Sequence, residues 1–324
     1  MAVEGKEHGD CARDCNTEYQ TASRVAISGV TGHVGRELAC LLSAGGCKIL
    51  GLTRQSPSAV AALPPAVTLN QIDESTETLC ELFEWFRPDF VIHLAALARR
   101  NHLATDVTPF VDANILFGTR LLEAMRLCGC SKFITAESIL QFSDTGEPRA
   151  TNLYAATKQA FSELLKYYTS EFDISALALV LPTLYSERET RSKLMTDIAG
   201  AVLTGTPVDL QAADVKVDFV HVEDVARAFA RASEILSCWT PESGCLGRYW
   251  VCSRRNVTPV ELAALFERVS EKKLNVRWHH SQINARRMSP WYGPVLPGWT
   301  PKVDLEEGIK RMLSVPKTTE LMAP

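Results

Sequence analysis

Residues 24–38 read RVAISGVTGHVGREL, and the step from an apolar run to a glycine-punctuated one decides how the rest of the chain is read. The run RVAISGV (24–30) has the length and apolarity of a buried strand, and GRELACLLSAGG (35–46) follows as a helix closed by glycines. Gly29, Gly32 and Gly35 stand three apart, directly between the two. Glycine has a physical purpose there. A tight turn needs positive φ, the backbone must come close to a pyrophosphate, and the helix must pack tightly on the sheet. The helix N-terminus then offers unpaired N–H groups and a positive dipole end to phosphates. Thr31, His33 and Val34 share the turn and are read with the glycines as cofactor-binding residues.

Outward from this turn the pattern alternates. KILGLTR (48–54) and VTLNQID (67–73) read as strands, ETLCELFEWF (77–86) as a helix halted by Arg87-Pro88, and DFVIHLAA (89–96) as a strand. NILFGTRLLEAMRLCG (114–129), KFITAES (132–138), YAATKQAFSELLKYYTSEF (154–172) and ISALALVLP (174–182) continue as helix, strand, helix, strand. Such alternation predicts an α/β fold: a doubly wound, Rossmann-type parallel sheet with sites at the carboxyl ends of its strands. After Pro182 the rhythm breaks. KLMTDIAGAVL (193–203) is helical, VDFVHVEDVARAFARASE (217–234) returns to strand then helix, and GWTPKVDLEEGIKRML (298–313) ends in a helix with Asp304 suited to cap it. The expected organisation is a disordered tail over 1–23, a nucleotide-binding domain over 24–182 to which 214–238 returns, and a smaller C-terminal substrate lobe from 183–213 and 239–324.

Composition narrows the function classes. The chain has 324 residues, 46% hydrophobic and 22% charged, with net charge −4. Neither a nucleic-acid footprint nor a basic membrane patch is expected. No apolar run approaches the roughly 18 residues of a membrane span, and the opening segment lacks the apolar stretch of a secretory signal. A cytoplasmic location follows as an expectation, with the ten scattered cysteines as free thiols. Cys11 and Cys15 have no matching pair at ligand spacing, so no metal is expected.

Tyr154 and Lys158, four apart at the start of a helix, place a phenol and an ammonium on one face. With the glycine turn, DFVIHLAA, NILFGTRLLEA, DFVHVEDVA and GWTPKVDLEEGI, this pair resembles the extended short-chain dehydrogenase/reductase enzymes, the epimerase/dehydratase branch that modifies nucleotide sugars. The resemblance runs from about Arg24 to Leu313. It implies a catalytic trio of Ser138, Tyr154 and Lys158, the lysine lowering the tyrosine pKa and binding the nicotinamide ribose. It also implies cofactor contacts from Leu94, Ala95, Ala96 and Pro182 and an adenine contact from Asp73. Asn114 takes a structural place beside the site. His93 is read as a satisfied core histidine rather than a base.

Departures from the family pattern shape the rest. Thr53 stands where NAD-using members carry an acid, and Arg54 follows; a guanidinium suits a 2′-phosphate, so NADP(H) is the expected cofactor. Leu140 stands where dehydrating and decarboxylating members carry an acid and some epimerising ones a cysteine, although an inward Glu137 would reopen that question. Thr183 replaces a usual asparagine, Ser186 a usual glycine, and Val217 a diphosphate-binding arginine; Lys193, Lys216, Arg286 or Arg287 are left to supply that charge. The expected activity is NADPH-dependent reduction of the 4-keto group of a nucleotide-diphosphate deoxysugar. The alternatives are a C4 epimerase with retained cofactor, a reductase of a non-sugar ketone, and, least favoured, a non-catalytic NADP-binding protein. A homodimer is expected, with Leu121, Leu122, Met125, Phe161, Leu164 and Leu165 assigned to outward helix faces.

Overall fold

The computed structural model describes residues 23–212, 215–239, 245–280 and 292–315. The first half runs β1 (Arg24–Ser28), α1 (His33–Ala44), β2 (Lys48–Thr53), β3 (Val67–Gln71), α2 (Thr76–Phe86) and β4 (Phe90–His93). It continues with α3 (Val107–Val111), which passes through a π-helical turn at Asp112–Leu116 into α4 (Phe117–Cys128), then β5 (Lys132–Ser138), α5 (Leu153–Glu171) and β6 (Ser175–Leu181). The second half holds β7 (Thr183–Tyr185), α6 (Leu194–Thr204), β8 (Val208–Ala212), β9 (Val217–His221) and α7 (Val222–Ser237). After these come β10 (Leu246–Trp250), β11 (Asn256–Val257), α8 (Pro259–Ser270), β12 (Val276–His280) and α9 (Leu305–Ser314).

Seven strands form one parallel sheet in the order β10-β6-β5-β4-β1-β2-β3. Every residue of β6 is buried, as a strand covered on both faces requires. One face packs against α1 and α7 through Leu38, Leu42, Phe229 and Leu236. The other packs against α2, α4 and α5 through Leu79, Phe83, Leu121, Met125, Phe161 and Leu165. The winding reverses between β1 and β4, and the crevice outside their carboxyl ends is where this architecture binds ligands.

Local chemistry explains the boundaries. Arg87 takes a left-handed conformation (φ 50°) just before Pro88 and stops α2, as the sequence predicts. Asp304 accepts the Glu306 N–H at 2.8 Å and starts α9. Fully buried Asp224 accepts from the backbone N–H of Lys302 (2.6 Å) and Val303 (2.9 Å), tying the segment before α9 to α7.

The structure corrects two expectations about organisation. The first concerns the split between core and lobe. β9 pairs with β7 and β11 in a separate small sheet, while the following α7 covers the large one. Conversely β10, from the segment assigned to the lobe, is the edge strand of the large sheet. The helix α7 carries the chain back along the sheet, so the next strand can pair parallel with β6. The lobe's own core is built from α6, α8 and α9 around Met195, Ile198, Phe219, Leu262, Phe266 and Ile309. The second concerns the six apolar residues assigned to outward faces. Leu121, Leu122, Met125, Phe161 and Leu165 are buried within the chain and Leu164 is half-buried. Covering one face of the large sheet consumes the stripe.

No described helix is long and apolar enough to cross a membrane. Cys40, Cys47, Cys80, Cys128, Cys130 and Cys252 are free thiols. Cys238 departs from that expectation and is disulfide-bonded. The tail assigned to residues 1–23 lies outside the described residues apart from Ser23.

Candidate active site

The glycine turn is constrained by sterics. Gly29 has φ +74°, and a Cβ there would stand 2.6 Å from the backbone nitrogen of Ala95. A Cβ on Gly35 would stand 2.2 Å from the carbonyl oxygen of Gly29. The turn is therefore pressed against the Leu94–Ala96 segment on one side and folded onto its own helix on the other. Gly32 donates its N–H to the Gly29 carbonyl at 3.0 Å and caps α1 without a side chain. By contrast α2 and α5 are capped by Ser75 and Asn152. An uncapped helix N-terminus behind a turn without side chains, at the point where the winding reverses, fits a dinucleotide pyrophosphate.

The other expected cofactor residues lie at the same carboxyl edge. Thr53 is buried at the end of β2, its hydroxyl accepting the Gln55 N–H at 3.1 Å. Arg54 follows with 69% of its side chain exposed, 3.5 Å from Glu74. Asp73 accepts from the Ser75 N–H and hydroxyl at 2.9 and 2.8 Å, bonds that hold its carboxyl below the usual range. Pro182 follows β6.

Ser138 ends β5, and Tyr154 and Lys158 occupy successive turns at the start of α5. Asn152 sets that start by accepting the Ala155 N–H at 2.9 Å. Burial pushes the Tyr154 hydroxyl up to about 12, opposed by a hydrogen bond with Ser138. In the protein alone, therefore, burial outweighs the expected lowering of this phenol, and Tyr154 holds its proton. Burial also pushes Lys158, 2% exposed, down to about 8, opposed by the carboxylate of Glu137. Asn114, inside the π turn, donates to the Leu97 carbonyl (3.0 Å) and the Thr157 hydroxyl (2.9 Å) and accepts the Leu97 N–H (2.8 Å). It fixes the helix beside Lys158 to the loop after β4, the structural role expected of it.

His93 is fully enclosed among Phe117, Phe133 and Phe161, with Nδ1 2.7 Å from the Ser28 hydroxyl. Burial, aided by the charge of Lys158, pushes it down to about 3. It is a core histidine held neutral.

Glu137 does point inward, but both its oxygens are engaged. Ser162 donates to Oε1 at 2.6 Å, and Arg248 donates to Oε2 from Nε at 2.7 Å and to Oε1 from Nη2 at 3.1 Å. Buried Gln141 donates to Ser162 at 3.3 Å and accepts the Ser138 N–H at 2.8 Å, joining this network to Ser138. Sequence reasoning missed Arg248 and Ser162 and gave Gln141, an unusual neighbour of the site, no role. The only signal for them was the position of Gln141 and Ser162 near the expected trio, and Arg248 had none.

The substrate residues are less unified. Thr183 is exposed at the start of β7. Lys193, one of the candidates to supply the diphosphate charge, pairs through its ammonium with buried Glu189, four residues earlier, at 2.6 Å. Arg191 binds the same carboxylate through two hydrogen bonds, and His33 lies 3.5 Å from it. Burial opposes ionisation of Glu189, yet the bonds from Arg191 and Lys193 hold it far below the usual range. Lys216 is exposed before β9, close enough for its charge to act on Glu261. Arg286 and Arg287 lie outside the described residues. No metal-holding group of side chains occurs among the described residues.

A glycine turn between β1 and α1, a tyrosine–lysine pair at the start of α5 and a seven-stranded parallel sheet mark an enzyme of the extended short-chain dehydrogenase/reductase class. Comparison with known sequences narrows this further: the chain belongs to the NAD dependent epimerase/dehydratase family, whose model matches residues 25–237. It is 25% identical over 305 residues to the CDP-abequose synthase of Salmonella muenchen, covering 90% of this chain and 97% of that protein. It is 26% identical over 230 residues to the UDP-glucose 4-epimerase of Mycolicibacterium smegmatis, covering 64% and 72% of the two. Among solved structures, the Thermus thermophilus UDP-glucose 4-epimerase complex with NAD superposes with a TM-score of 0.75 at 25% identity, over 90% of this chain and 97% of that one.

Proposed function

We propose that the protein is an NADPH-dependent ketoreductase acting on the 4-keto group of a nucleotide-activated deoxysugar. One observation carries the choice among the family's chemistries: Leu140 occupies the position of the dehydrating acid, and Glu137, the carboxylate beside the trio, is bound to Arg248 and Ser162. Proton exchange at a single oxygen remains. NADPH would supply the hydride. Tyr154 would give its proton to the carbonyl oxygen, Ser138 would hydrogen-bond that oxygen, and the Lys158 charge would stabilise the tyrosinate left behind. The relatives' names, a CDP-sugar synthase and UDP-sugar 4-epimerases, support a nucleotide sugar as substrate. The 2′-phosphate preference rests on uncharged Thr53 and exposed Arg54.

The similarity to UDP-glucose 4-epimerases favours a second reading, C4 epimerisation with a retained cofactor. Stoichiometry separates the two. A reductase consumes one NADPH per ketosugar, whereas an epimerase interconverts nucleotide hexoses with no net loss. Tyr154→Phe should keep fold and cofactor binding while losing roughly 10²–10⁴ in turnover, the usual contribution of a positioned acid. Epimerisation without NADPH consumption would overturn the reductase reading.

The homodimer also stays a proposal, on other residues than those first assigned. Leu103, Val107 and Val111 are exposed at every fourth position leading into α4, and Tyr167 is exposed on α5. A second copy packed helix to helix would cover them. A monomer mass in light scattering at micromolar concentration would refute it.

A further inference from the structure

Glu137 and Arg248 lie 111 residues apart in sequence and meet for a geometric reason. Arg248 pairs with Ala178 on β6, and Ala178 with Thr135 on β5. Side chains alternate along a strand, so Thr135, Glu137, Ala178 and Arg248 share one face of the sheet. Ala178 is small, and the guanidinium passes over it to reach Glu137, stacking on the Phe142 ring 5.6 Å away. On the same face α5 presents Ser162. Its hydroxyl lies 2.6 Å from Glu137 Oε1 and 3.0 Å from the carbonyl oxygen of Lys158, one turn earlier in the helix. The single hydroxyl proton goes to the charged acceptor.

We propose that Glu137 is a positioning residue for Lys158: its carboxylate, pinned by Arg248 from the edge strand and by the Ser162 hydroxyl that also lies against the Lys158 carbonyl oxygen, acts electrostatically on the buried ammonium one helical turn away. The role rests on the proposed function only in what Lys158 does there; the coupling belongs to the protein alone. The groups around Lys158 leave few other sources of negative charge. β4 offers His93, held neutral; α5 offers the protonated phenol of Tyr154; the π turn offers Asn114, which is uncharged. Glu137 on β5 opposes the burial of the ammonium, and Arg248 on β10 tempers Glu137. A buried ion pair contributes little net stability over an apolar pair of similar size, so the field at Lys158 is its distinctive consequence.

The test follows the lysine directly. In protein carrying [ε-¹³C]lysine, the Lys158 resonance is identified by its loss in Lys158→Met, and its titration midpoint is read by NMR without substrate or cofactor. Glutamine at 137 alone would set its amide against the guanidinium, so the variant is Glu137→Gln/Arg248→Met. Its midpoint should fall by about one pH unit or more, the effect of losing a nearby opposite charge. Arg248→Met alone should move the midpoint upward, because the carboxylate is no longer shared. A double variant titrating at the wild-type midpoint overturns the proposal. Should that variant not fold, an unshifted midpoint in Arg248→Met overturns it equally. Neither readout involves turnover, so failure of the ketoreductase assignment would appear separately, as absence of NADPH consumption.

Discussion

Replacing His93 with phenylalanine should make the protein more resistant to acid. The ring sits among three phenylalanines, and its Nε2 is buried without a hydrogen-bond partner among the described residues. Its folded pKa is about 3 against the ordinary 6.5. Between these values the unfolded chain binds a proton that the folded protein refuses, so stability rises with pH across that window and is lost as pH falls. One proton costs about 1.36 kcal/mol per pH unit, so from pH 6.5 to 4.5 the ceiling is about 2.7 kcal/mol, trimmed to roughly 2 because the unfolded histidine is already half protonated at the start. Phenylalanine removes this term and suits its aromatic neighbours. It costs the contact with the Ser28 hydroxyl, which the Ala95 N–H still reaches at 3.4 Å; a loss of about 1 kcal/mol at pH 7 is expected. Urea unfolding at pH 6.5 and 4.5 measures both. Equal pH dependence in the two proteins would refute the idea that His93 is held neutral.

Gly35→Ala should destabilise by about 1–3 kcal/mol or more through overpacking against the Gly29 carbonyl, and should abolish dinucleotide binding. Gly32→Ala, whose Cβ would stand 3.2 Å from that oxygen, should fold; thermal melts and cofactor titration compare them, and equal behaviour would contradict the steric account. Arg54→Ala should weaken NADPH binding while leaving NADH binding unchanged, and tighter NADH binding by the parent protein would count against the 2′-phosphate reading. Replacing Val107 and Val111 with lysine should leave the fold intact and drive any dimer to monomer in light scattering.

Features written locally were legible. The glycine turn announces itself because its three glycines sit between a strand and a helix, and the cap at Asp304 lies two residues from the amide it binds. What failed depended on partners far away in sequence. A charged residue states its sign but not its counterion, so the pairing of Lys193 with Glu189 was not legible. Leu121 and Phe161 looked surplus because the width of sheet they cover could not be counted from one helix at a time. Arg248 was invisible, since its meaning depends on which strand β10 joins.

The placement of β10 also bears on how the molecule comes into being. A ribosome finishes β6 more than sixty residues before it makes the strand that closes the sheet. Until then β6 offers an open, almost wholly apolar edge, and Glu137 lacks its guanidinium. A nascent chain ending near Pro182 would hold the complete dinucleotide turn and the Tyr154–Lys158 pair yet remain an unfinished fold, exposed to edge-to-edge association. Growth of the C-terminal half therefore completes the sheet and, in the same step, supplies the counterion that Glu137 lacks.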